Sequence, residues 1–321
     1  MVAGLKELAR EILGRLEKGE GALLETRIGK EGLSRRILPW QGESLSCSLS
    51  GEEGVVLEPV VPEPRLLILG AGHISLALAE FAAKAGFRVT VADDRPSFAN
   101  PGRFPWAERV LCLSFEEAFQ AVEIHGATFI VIVTRGHQHD LLCLKKALGT
   151  RAAYIGMIGS RRRVRGTMEL LEEEGFPREQ LERVHAPIGL PIASETPVEV
   201  AVSILAQLIQ VRRSKGNLPE PEGEVLQALA REEDPPAAMA TIIQAKGSVP
   251  RKAGARLLLW RDGRTMGTVG GGCGEGEVIQ LARRLMASGG HALYSVDLTA
   301  EVAAEEGMVC GGVLTLLVEA L

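Results

Sequence analysis

Apolar and polar positions along the chain alternate as short strands and amphipathic helices. Residues 1–19 (MVAGLKELAREILGRLEKG) set apolar against charged side chains at helical spacing, which predicts an amphipathic helix. Residues 65–70 (RLLILG) form a short apolar run stopped by glycine. Residues 74–85 (ISLALAEFAAKA) then repeat apolar residues around the helical period until Gly86, so the segment reads as strand, turn, helix. A second strand over 87–92 ends at Asp93 and Asp94. Runs at 108–113, 128–134 and 152–156 follow, separated by helical stretches at 115–124, 139–148 and 161–175. Such alternation predicts a doubly wound parallel sheet with helices on both faces, a Rossmann-like α/β fold. Thr196-Pro197-Val198-Glu199 has the form of a capping box with proline at the first helical position, and the helix it opens, 197–213, closes this domain.

Residues 214–224 (SKGNLPEPEGE) contain prolines, glycines and little that can be buried, so they read as a linker between a Rossmann-like domain at 64–213 and a smaller α+β unit at 225–321. That unit is expected to hold a helix near 224–232 and strands near 238–245 and 255–260. A glycine-rich loop at 267–276, a helix at 277–288 and a last strand at 313–319 complete it. Residues 22–42 resemble 238–263, and Val55-Val56-Leu57-Glu58 resembles Leu316-Leu317-Val318-Glu319; a degenerate half-copy of the C-terminal unit in the N-terminal segment, 1–63, would explain this, and the alternative is chance similarity of two generic strand pairs.

A length of 321 residues suits about two domains. With 46% hydrophobic and 24% charged residues the composition is that of a soluble globular protein. A net charge of −5 and 4% aromatic residues give no support to a nucleic-acid partner. The longest apolar run, Leu66 to Phe87, is broken by His73, Glu80 and Lys84, so no membrane span is expected. The opening helix lacks the unbroken apolar core of a signal peptide. The five cysteines (Cys47, Cys112, Cys143, Cys273, Cys310) are odd in number, widely spaced and without CxxC, which fits a reducing cytoplasm.

Four constellations can carry chemistry. Gly70-Ala71-Gly72-His73-Ile74-Ser75 joins a strand to a helix, with Asp93 ending the next strand, the setting of a dinucleotide fingerprint. Gly70 permits the tight turn, Gly72 lets backbone N–H groups approach a pyrophosphate beside His73, and Asp93 suits ribose hydroxyls. Ser75 replaces the third glycine. Arg135-Gly136-His137-Gln138-His139-Asp140 follows the 128–134 strand; His137 and His139 are weak metal-ligand candidates, and the alternative is that His139 and Asp140 simply begin the next helix. Gly156, Gly159, Ser160 and Arg161, followed by Arg162, Arg163 and Arg165, place glycines, a cap and cations at a helix start, which suits an anion. The run 267–277 (GTVGGGCGEGE) sets Gly271, Gly272 and Cys273 before a predicted helix whose N-terminus favours a thiolate, and Cys310-Gly311-Gly312 repeats the setting before the last strand.

The chain resembles the XdhC/CoxI family of xanthine dehydrogenase accessory proteins. The resemblance lies in LLILGAGHISLALA (66–79), FRVTVADDRPSFANPGRFP (87–105), AAYIGMIGSRRR (152–163), HAPIGLPIASETPVEVAVSILAQLI (185–209), GSVPRKAGARLLL (247–259), VGGGCGEGEVI (269–279) and CGGVLTLLVE (310–319). It implies a protein that binds the molybdenum cofactor (molybdopterin), protects it while a cysteine desulfurase exchanges an oxo for a sulfido ligand, and delivers it to a molybdenum hydroxylase such as xanthine dehydrogenase. It also implies a cofactor chaperone without turnover of its own, compatible with a homodimer, in which Cys273 and Cys310 contact molybdenum or its sulfur. Family members usually place the cysteine-bearing domain first, whereas here it is last. Two other readings stay open at this point: an NAD-dependent oxidoreductase resting on Asp93, and a redox or metal sensor resting on Cys273 and Cys310.

Overall fold

A computed structural model of the chain describes residues 2–41, 43–214, 223–297 and 312–321. These residues gather into two units, Glu63–Lys215 on the one hand and the described parts of Met1–Pro62 and Gly216–Leu321 on the other. The N-terminal part forms α1 (Val2–Glu17), β1 (Ala22–Gly29), β2 (Gly32–Pro39), β3 (Ser46–Ser50) and β4 (Glu53–Val60). Its strands pair antiparallel in the order β2-β1-β4-β3. Residues 1–62 do not make a core of their own, because Ala9, Ile12, Leu24 and Val60 share one buried cluster with Val225, Leu229, Met239 and Leu258.

Next in the chain come β5 (Arg65–Leu69), α2 (His73–Lys84), β6 (Arg88–Asp93), β7 (Arg109–Cys112), α3 (Phe115–Ala121), β8 (Thr128–Ile132), α4 (His137–Leu148), β9 (Tyr154–Met157), α5 (Arg161–Glu173), α6 (Arg178–Leu181), β10 (Val184–His185) and α7 (Pro197–Ser214). The six strands are parallel in the order β10-β9-β8-β5-β6-β7, which is the Rossmann arrangement with its switch point between β5 and β8. β8 is buried along its whole length, as a strand covered on both faces must be. Leu66 and Ile68 of β5 point to the side of α2 and α7, where Leu78, Ala82, Ala201 and Ile204 meet them. Leu67 and Leu69 point to the other side, against Ala118 of α3, Leu144 of α4 and Leu171 of α5. The capping box at α7 forms: Thr196 Oγ1 accepts from the Glu199 amide at 3.3 Å, and the Glu199 carboxylate accepts from the Thr196 amide at 2.9 Å.

The C-terminal part supplies α8 (Gly223–Ala230), β11 (Ala238–Gly247), β12 (Arg256–Leu259), β13 (Thr265–Gly267), α9 (Gly272–Ser288), β14 (His291–Asp297) and β15 (Gly312–Ala320). These strands are antiparallel in the order β13-β12-β11-β15-β14. One face of the sheet, with Ala240, Ile242, Leu257 and Leu316, is covered by Val278 and Ala282 of α9. The opposite face, with Ile243 and Leu317, meets Ile28 and Val56 of the N-terminal sheet. Each fully buried aliphatic side chain contributes roughly 1.5–3 kcal/mol to holding such a sandwich together. β13 and β14 were absent from the sequence expectation, and α9 begins five residues earlier than expected, inside the glycine run. Among the described residues no helix is long and apolar enough to cross a membrane.

Two ion pairs lie within the sandwich. Arg35 Nη2 stands 2.5 Å from Glu319 Oε1, and Arg256 Nη2 stands 2.6 Å from Glu58 Oε1, with all four side chains nearly or fully buried. Removing one member strands a buried charge, at a cost of about 3–5 kcal/mol. The outer face of β1 carries a different cluster, in which Glu25 accepts from Arg36 at 2.8 and 2.9 Å and from Arg27 at 2.7 Å.

Arg36 first, and Arg27 after it, hold the Glu25 carboxyl down at about 2. A carboxyl whose folded value lies below its unfolded value, about 4.3, stabilises the protein above that unfolded value and stops doing so as the pH falls through the folded one. Glu25→Gln should therefore melt below the parent at neutral pH, with the gap closing as the pH drops from about 5 to about 2. Thermal melts of both proteins over that range check this; a gap independent of pH would show that the cluster adds nothing through charge.

Candidate functional site

A doubly wound sheet binds its ligand outside the carboxyl ends of the strands, at the point where neighbouring strands send their helices to opposite faces. Here that place lies between β5, which leads into α2, and β8, which leads into α4. Gly70 makes the turn out of β5 at φ +106°, and a Cβ there would overlap the Val133 carbonyl, so only glycine lets the two strand ends lie this close. Gly72 is the N-cap of α2, extended at φ −74° and without a side-chain cap, and a Cβ on it would meet nothing within 4 Å. Gly136 caps α4 in the same bare fashion. Two helix starts with uncapped N–H groups thus border the switch point, a setting that favours an anion. His73 is exposed as the first residue of α2.

Ser75 is fully buried and donates to the Gly70 carbonyl at 2.6 Å, which explains how it replaces a third glycine: its small side chain fits the contact and its hydroxyl finds a partner. Asp93 is placed differently from the fingerprint expectation. Its side chain is 2% exposed, Oδ2 accepts from the Ala71 amide at 2.8 Å, and both oxygens take the Arg95 guanidinium at 2.8 and 3.0 Å. Burial works to raise its pKa, but Arg95 and the Ala71 and Arg95 amides outweigh it and hold the carboxyl below its ordinary value. The acid therefore braces the glycine turn, with its acceptors turned to the chain itself. The Ala71 carbonyl is held from the other side by Arg103 at 3.2 Å, and Arg95 and Arg103 both lie against the Phe98 ring.

Beyond β8, Asp140 is buried and accepts from Thr134 Oγ1 at 2.6 Å, with Arg163 of α5 3.8 Å from its other oxygen. The His139 ring packs edge-on against Phe115, 5.3 Å between centroids, as a helix-start residue would. No group of three His, Cys, Asp or Glu side chains suited to a metal occurs among the described residues. Arg135 makes a two-point pair with Asp94, at 2.6 and 2.8 Å. Gly156 proves to be a packing residue: a Cβ there would stand 2.5 Å from Ile188 Cδ1 and from Tyr154 Oη. Gly159 has a lesser constraint, with Val164 Cγ2 at 3.2 Å from such a Cβ. Ser160 caps α5 by accepting from the Arg163 amide at 3.3 Å, and Arg161, Arg162, Arg163 and Arg165 are exposed around its first turns. The first turn of α5 contains no acidic residue of its own.

In the C-terminal unit the glycines of the cysteine loop sort by what surrounds them. Gly267, at φ +81°, lies where a Cβ would overlap the Arg256 carbonyl, and Gly270, at φ +133°, would bring one within 2.8 Å of Pro250. Gly274 lets α9 approach β14, since a Cβ would meet Val296 at 2.7 Å. Gly271 and Gly272 are also left-handed, at φ +73° and +68°, and nothing lies within 4 Å of a Cβ on Gly271. The backbone of Cys273 stands in the first turn of α9, and Cys310 lies outside the described residues.

Glu275, which the sequence reading left out, organises this loop. Its Oε2 accepts from Thr268 Oγ1 at 2.5 Å and from the amides of Val269 and Gly271 at 3.0 and 3.1 Å. Burial pushes its pKa up, but the Thr268 hydroxyl and the loop amides prevail and hold it below the ordinary value. The available signal was an acid four residues into a helix that follows a threonine-glycine turn, a variant of the capping box. Of the other cysteines, Cys143 is fully buried with its thiol pKa raised, by burial first and Asp140 second, whereas Cys112 is exposed on β7.

The sequence pattern of the XdhC Rossmann domain matches residues 66–208, and that of the XdhC and CoxI family matches residues 230–297. A Bacillus subtilis (strain 168) protein whose name marks it as part of a probable xanthine dehydrogenase is 32% identical over 157 residues, 49% of this chain and 46% of that protein. The Escherichia coli K12 protein named molybdenum cofactor insertion chaperone PaoD is 26% identical over 201 residues, 63% and 54% of the two chains. This chain thus spans about half the length of each of these curated relatives. A crystal structure of a Bacillus halodurans protein named as a xanthine dehydrogenase superposes with a TM-score of 0.54 at 26% identity, covering 69% of this chain and 70% of that one. Matches of both the parallel-sheet unit and the cysteine-loop unit to one group of proteins leave a single assignment: the chain belongs to the XdhC/CoxI family.

Proposed function

We propose that this chain binds the molybdenum cofactor as cargo and serves the maturation of a molybdenum hydroxylase of the xanthine dehydrogenase type, without turnover of its own. The observation that carries the reading is the α9 loop, in which Gly270, Gly271 and Gly272 in succession take left-handed backbone and lead directly to Cys273. Glycines held in that conformation leave the backbone bare beside a thiol-bearing position, as close approach of a bulky group to the chain requires. A thiolate is a soft donor that suits molybdenum carrying a terminal sulfur. The names of the relatives, one a molybdenum cofactor insertion chaperone, support the same reading.

The fit of the donors to such a cargo differs from place to place. At the α9 loop the Glu275 carboxylate already takes the amides of Val269 and Gly271, so these donors stabilise the loop and leave Cys273 as its soft contact. At α5 the Ser160 cap and the exposed Arg161 and Arg162 suit a pterin phosphate, as do the bare N–H groups of α2 behind Gly72. Delivery to a client hydroxylase and exchange of oxo for sulfido by a cysteine desulfurase belong to this proposal as its finer steps. The nicotinamide alternative is weakened because Asp93 is engaged by Arg95 and Ala71, which a ribose would have to displace. A sensor built on Cys273 and Cys310 gains no support from geometry, since Cys310 lies outside the described residues.

Cys273→Ala is expected to lose most of the molybdenum and pterin that the parent retains when incubated with cofactor released from a molybdenum hydroxylase, and Cys310→Ala to lose some. Cys143→Ala should lower stability while leaving retention intact, because its thiol is fully buried in the Rossmann core. Metal analysis and pterin fluorescence on the desalted proteins decide it. Retention by folded Cys273→Ala equal to the parent's would end the thiolate proposal.

Arg161→Gln with Arg162→Gln, leaving the Asp140 neighbour Arg163 in place, should weaken cofactor binding several-fold at low salt and flatten its salt dependence. Binding that is equal in the two proteins at both low and high salt would take the cluster out of the site.

A further inference from the structure

The two halves of the antiparallel unit share one plan. Order β2-β1-β4-β3 in the first half corresponds to β12-β11-β15-β14 in the second. Register fixes the equivalences: Thr26 faces Arg35 as Thr241 faces Arg256, and Leu24 faces Glu58 as Met239 faces Glu319. Arg35 and Arg256 are therefore equivalent positions, as are Glu58 and Glu319. The buried ion pairs cross between the halves, Arg35 to Glu319 and Arg256 to Glu58. Contact of i with j′ and of j with i′ is the signature of a two-fold interface. The apolar centre obeys the same rule, since Ile28 and Val56 meet Ile243 and Leu317, their own equivalents. Helices α1 and α8, each preceding the first strand of its half, share a cluster as well.

The outer faces differ. Where the second half has Ala240, Ile242 and Leu257 beneath α9, the first half has Glu25, Arg27 and Arg36, bound to one another as a polar surface. Among the described residues the first half thus keeps the face that meets its counterpart and has no element equivalent to the glycine loop or to α9.

We propose that residues 1–62 stand where a second copy of the C-terminal unit would stand, so that the chain carries its own two-fold partner and the face of β11, β12 and β15 is built to receive another copy of itself. In a pair of two C-terminal units, Arg256 of one would meet Glu319 of the other, twice. The N-terminal half closes this face, and each chain presents one cysteine loop in place of a symmetric pair.

The test uses four single charge-neutralising variants of the full chain, with the parent's own oligomeric state as baseline. Arg35→Gln and Glu58→Gln weaken the hold of the N-terminal half but leave Arg256 and Glu319 able to pair between two chains. Arg256→Gln and Glu319→Gln weaken the same internal contacts and also remove the pairing between chains. Sedimentation velocity over a concentration series should show at least tenfold tighter self-association for the first two variants than for the parent, and no such gain for the last two. Thermal melts identify the folded variants, and one folded member of each class suffices for the comparison. Unchanged association in Arg35→Gln and Glu58→Gln, or equal association in both classes, would overturn the proposal and leave the ion pairs as internal packing alone.

Discussion

Backbone N–H groups at a turn or helix start need an acceptor, and the organisation of both units follows from which acceptor they find. At the first turn of the Rossmann unit the Asp93 carboxylate takes the Ala71 amide; at the α9 loop the Glu275 carboxylate takes the amides of Val269 and Gly271. Each carboxylate fixes a glycine turn that would otherwise have several conformations of similar energy. What remains uncapped is informative by contrast. The starts of α2 and α4, behind Gly72 and Gly136, have no side-chain acceptor and follow the two neighbouring strands of the switch point, β5 and β8.

The first of these carboxylates braces a turn of the nucleotide-binding type. The acid at the end of β6 is held by Arg95, and Arg103 holds the same loop through the Ala71 carbonyl. Turn, strand order and helix end of a nucleotide site are all present, while the group that would recognise a ribose is engaged in holding the turn together. A fold can retain the form of a site whatever chemistry it carries.

The strand-turn-helix of 65–85 was legible in the sequence because its apolar period is strong and glycines bound it, and the parallel sheet followed from repeats of the same alternation. β10, two residues long, and β14 (HALYSVD), with a mixed pattern, have no local signal that distinguishes them from loop; pairing with β9 and β15 makes them strands. The start of α9 at Gly272 ran against helix propensity, and it is held there by contacts that span the loop, Glu275 to Thr268 above all. Gly156 read as a ligand glycine because sequence cannot show that Ile188 and Tyr154 converge on it. The similarity of 22–42 to 238–263 was visible, but the crossed pairing of Arg35 with Glu319 was not, since 284 positions separate the two residues.

Because residues 1–62 and 223–321 share a sandwich while the Rossmann unit lies between them in the chain, synthesis imposes an order on folding. The parallel-sheet unit is complete once α7 has emerged and can fold as a unit while translation continues. The first four strands cannot. Leu24, Ile28 and Val56, with Arg35 and Glu58 among them, wait for β11, β12 and β15, and of these three β15 is made last. At about 5–20 residues per second the delay is roughly 10–50 s. During that time a half-sandwich with two charged groups on its inner face is exposed to the cell. Those charges keep the waiting surface from being uniformly apolar, and so lower its tendency to pair with the wrong sheet before its own has been made.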